Sequence, residues 1–428
     1  MDAPKHVAII GGGIAGLSAA LAAQEAATAS GLSLSCTVIE AGREWGGKIT
    51  THRRGDFLIE GGPDSFLSQK PGGLELCAKL GLTDRLINTN EHQKKTFVYS
   101  RGRLRELPQG LVVIVPTQLG PFLRSGLLSW AGLVRMGLDL LLPARRRTGE
   151  ESVAAFFRRR LGREAFERVV EPLLAGIYAG DAERLSLQAT FPRFADIERA
   201  HGSVIRGMLA GRGVADGTAA SRGSERTMFV TLRNGLGELV EALVARVTAG
   251  GARLLSEHRV ASVRVRSREL GRWTYDLVLE PGGVVSADAV VLATPAYVSA
   301  ELIRPLAPIA AGLLAEIPYA STATVSLAYP ADALAGRARG FGFVVPRVEN
   351  RDLIAVTWTS LKWPHRAPAS HMLVRGYLGR VGRDAILQTD DETLVRCVRE
   401  ELAAMTGITS VPEYVEVHRW ARAMPQYT

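Results

Sequence analysis

Apolar residues are arranged at two different spacings along this chain. Residues 6–10 (His-Val-Ala-Ile-Ile) form a short continuous apolar run that stops at glycines, the pattern of a strand buried on both faces. Residues 14–29 are rich in Ala and Leu and predict a helix. Residues 34–40 alternate through Cys36, Val38 and Glu40 and predict a second strand. Strand, glycine turn, helix and strand make one βαβ unit. Residues 97–107 read as a hairpin turning at Gly102, and residues 108–143 are strongly apolar, with Arg145, Arg146 and Arg147 after them. Residues 151–175 read as helix, with Phe156, Phe157 and Leu161 opposite Arg158, Arg159 and Arg160. Residues 207–225 are rich in Gly, Ala and Ser, and a mobile loop is expected there. Antiparallel strands are expected at 258–265 and 274–280, a buried strand at 288–293, and a strand at 322–329 with Val325, Leu327 and Tyr329 on one face. An amphipathic helix is expected at 391–405. There is no internal repeat and no sustained heptad.

A chain of 428 residues, 46% apolar, exceeds what one ordinary core organises, so two or three domains are expected. The formal charge of +9, carried mostly by Arg, suits nucleic acid, an anionic membrane surface or an acidic small molecule. No zinc-finger, RNP-type or basic-zipper pattern is present, which argues against nucleic acid. Cys36, Cys77 and Cys397 form no CxxC pair and fit free thiols in a reducing compartment. The opening Met-Asp-Ala-Pro-Lys-His resembles neither a secretory signal nor an Arg-rich transit peptide, so a cytoplasmic protein is expected. The apolar stretch 111–142 is interrupted by Pro116, Pro121, Arg124, Arg135 and Asp139. Short helices with an apolar face and Arg flanks fit it better than a membrane span, and suit peripheral contact with an anionic membrane.

Gly11-Gly12-Gly13-Ile14-Ala15-Gly16 is a GxGxxG between the first strand and the first helix. The glycines permit a tight turn, close approach of a pyrophosphate to backbone, and close helix–strand packing. The helix start then offers N–H groups and a positive dipole end to phosphate. Glu40 ends the second strand 24 residues past Gly16, the place of an acceptor for ribose hydroxyls. A glycine turn in some other α/β fold is the plain alternative. The eight histidines show no metal-ligand spacing, so no metal site is expected.

Glu40 is followed by Arg43-Glu44-Trp45-Gly46-Gly47-Lys48, which resembles the ExxxRxGG(R/K) signature of the FAD-binding family that includes amine oxidases, phytoene desaturases and protoporphyrinogen oxidases. The resemblance implies FAD, with Arg43 and the Gly46–Gly47 pair at its pyrophosphate and ribityl region. Arg suits charge-assisted bonds to phosphate, and paired glycines expose backbone N–H groups. Residues 287–295 (ADAVVLATP) resemble the family's distal strand and its Ala-Thr-Pro turn, and His258-Arg259-Val260 the strand that meets the adenine. The cofactor residues so implied are Gly11, Gly13, Ile14, Ala15, Gly16, Glu40, Ala41, Arg43, Gly46, Gly47, Lys48, Gly61, Gly62, Pro63, Asp64, Ser65, Val260, Ala293, Thr294 and Trp420.

Further stretches resemble oxygen-dependent protoporphyrinogen and coproporphyrinogen oxidases: 60–66 (EGGPDSF), 171–192 (EPLLAGIYAGDAERLSLQATFP), 341–346 (FGFVVP) and 419–427 (RWARAMPQY). The resemblance implies a six-electron oxidation of protoporphyrinogen IX to protoporphyrin IX, with O2 reoxidising the flavin to give H2O2. Coproporphyrinogen III is the rival substrate; another flavin oxidase, such as an amine oxidase or carotenoid desaturase, or a non-catalytic binding protein on the same fold are the other readings. The backbone at Gly176 is implied near the reacting carbon. A flat macrocycle with propionates needs apolar walls and cationic anchors. Lys95, Thr96, Arg101, Arg103 and Arg105 are candidate anchors, although the arginines equally suit a solvated hairpin edge. Phe341, Phe343 and Tyr377 are candidate walls or core.

The expected architecture is of mixed α/β class. A Rossmann-like, discontinuous FAD-binding domain covers 1–92, 226–300 and 415–428. A helical membrane-facing insertion covers 93–206, a flexible loop 207–225, and a mixed-sheet substrate domain 301–414. The resembled family continues roughly 40 residues beyond the position of Thr428, about the reach of a βα unit, with a glycine-rich strand and helix start against the flavin. Implied partners are a porphyrinogen, O2, an anionic membrane, the next haem-pathway enzyme and a second copy in a homodimer.

Overall fold

A computed structural model describes residues 4–108, 111–112, 115–116, 119–145, 149–215, 226–269, 272–334 and 336–428. The apolar run at the start forms the strand Lys5–Ile10, at the centre of a parallel sheet. Its neighbours are Leu34–Ile39, with Arg253–Leu255 beyond it, and Ala289–Leu292 on the other side. Ile10 pairs with both Ile39 and Leu292, so the chain leaves all three strands at one level. Open parallel sheets bind their ligands at that C-terminal edge.

Both faces of this sheet are covered, which is why its strands lack polar alternation. Ile9, Leu17, Leu21, Val38, Leu243 and Val247 pack on one face beneath the helices Ile14–Ala29 and Gly237–Ala249. Ala8, Ile10, Ile39, Val260 and Leu277 pack on the other, beneath the antiparallel strands Arg259–Glu269, Arg272–Glu280 and Val284–Ala287. Each large side chain so buried stabilises by about 1.5–3 kcal/mol. These elements belong to a unit made of Met1–Asn88 and Met228–Ile317.

The second unit comprises Thr89–Thr227 and Pro318–Thr428. Its seven-stranded sheet runs in the order Tyr414–Pro425, Tyr319–Pro330, His371–Leu378, Leu353–Trp358, Gly342–Val344, Thr96–Ser100, Arg103–Glu106. All neighbours are antiparallel except Gly342–Val344 with Thr96–Ser100, so the sheet is mixed. The helix Asp391–Thr406 packs on it through Leu394, Val398, Leu402 and Met405. The Asp390 side chain caps its start by accepting from Thr393 N, and Gly407, at φ 74°, ends it in the left-handed conformation.

The helical part of this unit is a series of short pieces. Leu119–Ser125 and Trp130–Gly137 fall within the apolar stretch, followed by Val153–Leu161, Arg163–Ala165, a π-helical turn at Phe166–Val170, and Glu171–Tyr178. Gly162, at φ 87°, breaks what the sequence predicts as one helix over 151–175. Phe156, Phe157 and Leu161 form the core with Phe166, Val170 and Phe194.

Several expectations are corrected. Arg160, expected opposite the apolar face, is fully buried. Its Nε bonds Asp139 Oδ1, and it donates to the Asp139 and Gly202 carbonyls at 2.9 Å. Asp139 Oδ2 accepts from Ser203 Oγ and Ile205 N, so both charges are met inside the core. Residues 207–215 do not form a loop: they continue the helix Val204–Ala215, whose Val204, Ile205 and Met208 are buried. Residues 216–225 lie outside the described residues, as do Arg146 and Arg147. The hairpin 96–106, expected in the helical insertion, joins the seven-stranded sheet. The helix Pro308–Ala315, expected in the substrate domain, belongs to the first unit. Residues 415–425, expected in the FAD-binding domain, lie in the sheet of the second unit, with Tyr414 opposite Ala328 and Pro425 opposite Tyr319. The backbone hydrogen bonds that decide this join residues about a hundred positions apart, and local pattern carries no trace of them.

Asp139→Ala leaves the buried Arg160 charge with backbone carbonyls and, as its remaining carboxylate among the described residues, Glu198 Oε1 at 3.3 Å. A loss of about 3 kcal/mol or more of stability is expected, read as a lowered midpoint in denaturant unfolding. A midpoint shift below about 1 kcal/mol would show that the pair is not what holds these helices.

Candidate functional site

At the C-terminal edge of the parallel sheet lies a cleft of about 700 Å3. Its floor is the turn after Lys5–Ile10. Gly11 sits at φ 110°, and a Cβ there would stand 2.7 Å from the Ala293 carbonyl oxygen. At Gly12 a Cβ would stand 2.5 Å from the Trp45 ring. Gly13 pairs with Gly46 as a parallel bridge, and Gly46 N–H donates to the Gly12 carbonyl at 2.9 Å. Gly46 and Gly47 both have positive φ, at 105° and 63°. The two glycine segments therefore touch backbone to backbone and line the cleft together.

Gly13 precedes the helix Ile14–Ala29, and no side chain caps it. The first-turn N–H groups are left for an anion, reinforced by the helix dipole. Glu40 stands beside this turn. Its Oε2 accepts from Gly12 N and its Oε1 from Gly42 N, each at 2.7 Å. Two backbone donors fix the carboxylate and leave lone pairs to accept from a diol. Lys48 stands at the rim, its ammonium held below the ordinary lysine value by partial desolvation. Val260, Ala261, Val298 and Leu302 supply an apolar end. Anion seat, fixed carboxylate and apolar end fit a dinucleotide with a flat ring.

Of the sequence-derived cofactor residues, Gly11, Gly13, Ile14, Ala15, Glu40, Ala41, Gly46, Gly47, Lys48, Pro63, Val260, Ala293 and Thr294 line this cleft. Gly16 is buried behind the turn, against Gly11 and Ala293. Arg43 is exposed and is not part of the lining. In the neighbouring loop, Gly61 N–H donates to the Thr50 carbonyl and Ser65 Oγ to Asp64 Oδ1; neither these residues nor Gly62 line the cleft. Trp420 lies in the sheet of the second unit, its ring stacked on His418 at 6.5 Å. Ile10, Ile39, Val298, Glu301 and Leu302 line the cleft unforeseen. The last three sit at i, i+3 and i+4 on the helix Ala296–Ile303, a periodicity visible in the sequence after the Ala-Thr-Pro turn.

The chain matches the family model for flavin-containing amine oxidoreductases over residues 14–428. It is 37% identical to coproporphyrinogen III oxidase of Bacillus subtilis (strain 168), over 100% of this chain and 88% of that protein. It is 32% identical to the chloroplastic protoporphyrinogen oxidase 1 of Arabidopsis thaliana, over 98% of this chain and 78% of that protein. A solved structure from Exiguobacterium sp. 255-15 superposes with a TM-score of 0.86 at 32% identity, covering 100% of this chain and 88% of that one. The chain belongs to the flavin-containing amine oxidoreductase family. It is thus a flavin-dependent oxidoreductase.

In the second unit, Gly176 lies in the last turn of the helix Glu171–Tyr178. It is exposed, with open space where a side chain would stand, beside the exposed Ile177. The helix is tied at both ends to the loop that follows His371–Leu378, and at its start to Arg347 as well. At its start the Glu171 carboxylate accepts from Arg347 N at 3.0 Å and lies 3.6 Å from the buried Arg380 guanidinium. At its end the Ala179 carbonyl accepts from Val381 N at 3.1 Å. Burial pushes the Glu171 carboxyl above its ordinary value, against the opposing pull of Arg347 N–H and Arg380. A cavity of about 400 Å3 lies at this end, but its Arg158 pairs with Glu183 and its Arg347 lies 3.7 Å from Asp181.

Of the candidate anchors, Lys95, Arg101 and Arg105 are already engaged. Lys95 Nζ bonds Glu106, and Arg101 bonds Glu164 through its guanidinium and Glu349 through its N–H. Arg105 Nη1 lies 3.5 Å from the Ser125 carbonyl, Arg103 is exposed, and Thr96 pairs with Gly342 at the parallel step of the sheet. Phe343 is core, 6.0 Å from the Trp358 ring. Phe341 is half-buried, and its N–H donates to the Lys95 carbonyl. Tyr377 is half-buried against Ala179, Ala320 and Ile354, with the Arg375 guanidinium 5.0 Å from its ring centre.

Glu40→Gln keeps the shape but turns an NH2 toward Gly12 or Gly42, donor against donor. Flavin affinity is expected to fall about tenfold, measured by fluorescence titration. An unchanged Kd would remove Glu40 from the binding site.

Proposed function

We propose that the protein binds FAD and oxidises a porphyrinogen to the porphyrin with O2 as acceptor, in tetrapyrrole biosynthesis. The observation that carries this is full-length similarity, at 37% identity, to a protein named coproporphyrinogen III oxidase. It favours coproporphyrinogen III as substrate; similarity at 32% to a protoporphyrinogen oxidase supports protoporphyrinogen IX as the second reading. FAD, rather than a mononucleotide, is supported by a cleft with an anion seat, a carboxylate for a ribose and a further apolar end. Bound FAD supplies the two-electron chemistry, taking hydride from the macrocycle and passing electrons to O2 as H2O2.

The chain's own contribution is to hold and orient. Gly11–Ala15 and Glu40 bind and orient the dinucleotide. Gly176 and Ile177 present a flat, open backbone surface to the macrocycle, which a side chain at 176 would obstruct. The Glu171 and Val381 ties hold that surface rigid. Porphyrin formation from both porphyrinogens, faster with coproporphyrinogen III, is expected in an aerobic fluorescence assay with added FAD. Flavin bound without turnover would overturn the substrate reading. Gly176→Ala should leave flavin content and fold intact, since Ala favours the helix by up to about 1 kcal/mol, yet lower kcat/KM about tenfold or more.

The reading also places the protein in the cytoplasm, peripheral on an anionic membrane that carries its apolar substrate. Among the described residues no helix is long and apolar enough to cross a membrane. Trp130, Val134, Leu138 and Leu141 are instead exposed, at 75%, 65%, 41% and 80%, while Leu133 and Met136 of the same stretch are buried. An apolar ridge of this kind, with the exposed Arg124 shortly before it in the chain, suits the headgroup boundary. Replacing Trp130 and Leu141 by Ser should abolish co-flotation with anionic liposomes without lowering Tm. Undiminished flotation would remove this ridge from the membrane contact.

A further inference from the structure

The apolar end of the cleft carries a charged side chain with no role in the proposed chemistry. Val298, Glu301 and Leu302 share one face of the helix Ala296–Ile303, and all three line the cleft. That helix is fixed at its start, where Ser299 N–H donates to the Pro295 carbonyl and Ser299 Oγ lies 2.8 Å from Thr294 Oγ1. Buried Ala300 fixes its other side. Glu301 is exposed along the cleft and has no hydrogen-bond or ion-pair partner among the described residues.

Its place follows from the order of groups in a dinucleotide. The pyrophosphate belongs at the glycine turn and the first-turn N–H groups of Ile14–Ala29. The next sugar belongs at the Glu40 carboxylate. The base then lies beyond Glu40, where the remaining walls are Val260, Ala261, Val298 and Leu302. Those apolar groups accept any flat heterocycle and distinguish none. The titratable groups at that end are His258, whose Nδ1 lies 2.6 Å from the Ser256 carbonyl, Arg259, which only donates, and Glu301, which only accepts. An exocyclic amino group needs an acceptor, and a carbonyl oxygen at the same ring position would meet the carboxylate as a repulsion.

We propose that Glu301 reads the base: its carboxylate accepts from the exocyclic amino group of adenine and makes the cleft select an adenine dinucleotide over one with a carbonyl there. The inference rests on the FAD reading and adds to it the residue that sets base specificity. Glu301 is a binding residue, remote from the reacting atoms, so its effect falls on affinity.

The test uses the full chain freed of flavin, titrated with FAD and with flavin hypoxanthine dinucleotide, following flavin fluorescence. Wild type should bind FAD about tenfold more tightly than the hypoxanthine analogue. Glu301→Ala should bind the two alike, and Glu301→Gln, whose amide both donates and accepts, should narrow the difference. Glu301 is exposed on a helix and Ala is a better helix former, so the flavin-free Tm of Glu301→Ala should match wild type. Equal binding of the two dinucleotides by wild type would overturn the inference and leave the FAD reading standing. So would a preference that survives in Glu301→Ala, or one lost in Arg259→Ala instead. Failure of wild type to bind either dinucleotide would overturn the FAD reading, and the inference with it.

Discussion

Backbone must touch backbone where Gly11–Gly13 meets Gly46–Gly47, and the first unit is organised around that contact. The Gly13–Gly46 bridge and the Gly46 to Gly12 hydrogen bond bring the two chain segments into backbone contact, so that a Cβ at Gly47 would stand 3.2 Å from Gly13 Cα. That closeness leaves the start of Ile14–Ala29 open to an anion. It also sets Gly12 N–H where the Glu40 carboxylate can accept it. The parallel sheet serves the same end: strands sandwiched between helices on one face and an antiparallel sheet on the other cannot shift register, so Gly11, Glu40 and Ala293 emerge together at one edge.

In the second unit, ordering falls to charges removed from water. Arg160 and Asp139 are enclosed completely, each met by several partners, and they join helices too short to hold their own arrangement. Glu171 and Arg380 do the same for the helix that carries Gly176, on a smaller scale and with a looser contact. Such pairs add little net stability over apolar packing. Their contribution is to penalise alternative packings that would strand a charge.

The sequence by itself determined the elements whose causes are local. The glycine turn, the first helix, the Glu40 strand and the Arg43–Lys48 signature were legible because each depends on residue type at fixed short spacing. Most of the cleft lining follows from them, and the amphipathic helix expected at 391–405 was equally plain from its periodicity; it spans Asp391–Thr406. Tertiary structure alone decided the rest. The strand Tyr414–Pro425 joined the seven-stranded sheet because its partner, Tyr319–Pro330, lies about a hundred residues away and is chosen by register. Arg160 went inside because Asp139 and the Gly202 carbonyl converge there to accept its protons; helical spacing alone put it outside. Glu301 became part of the cleft because a helix from a distant stretch of chain closes one end of it. Spacing along a chain fixes which face a residue occupies; what that face meets is set by distant segments, through burial and hydrogen bonding that no local window contains.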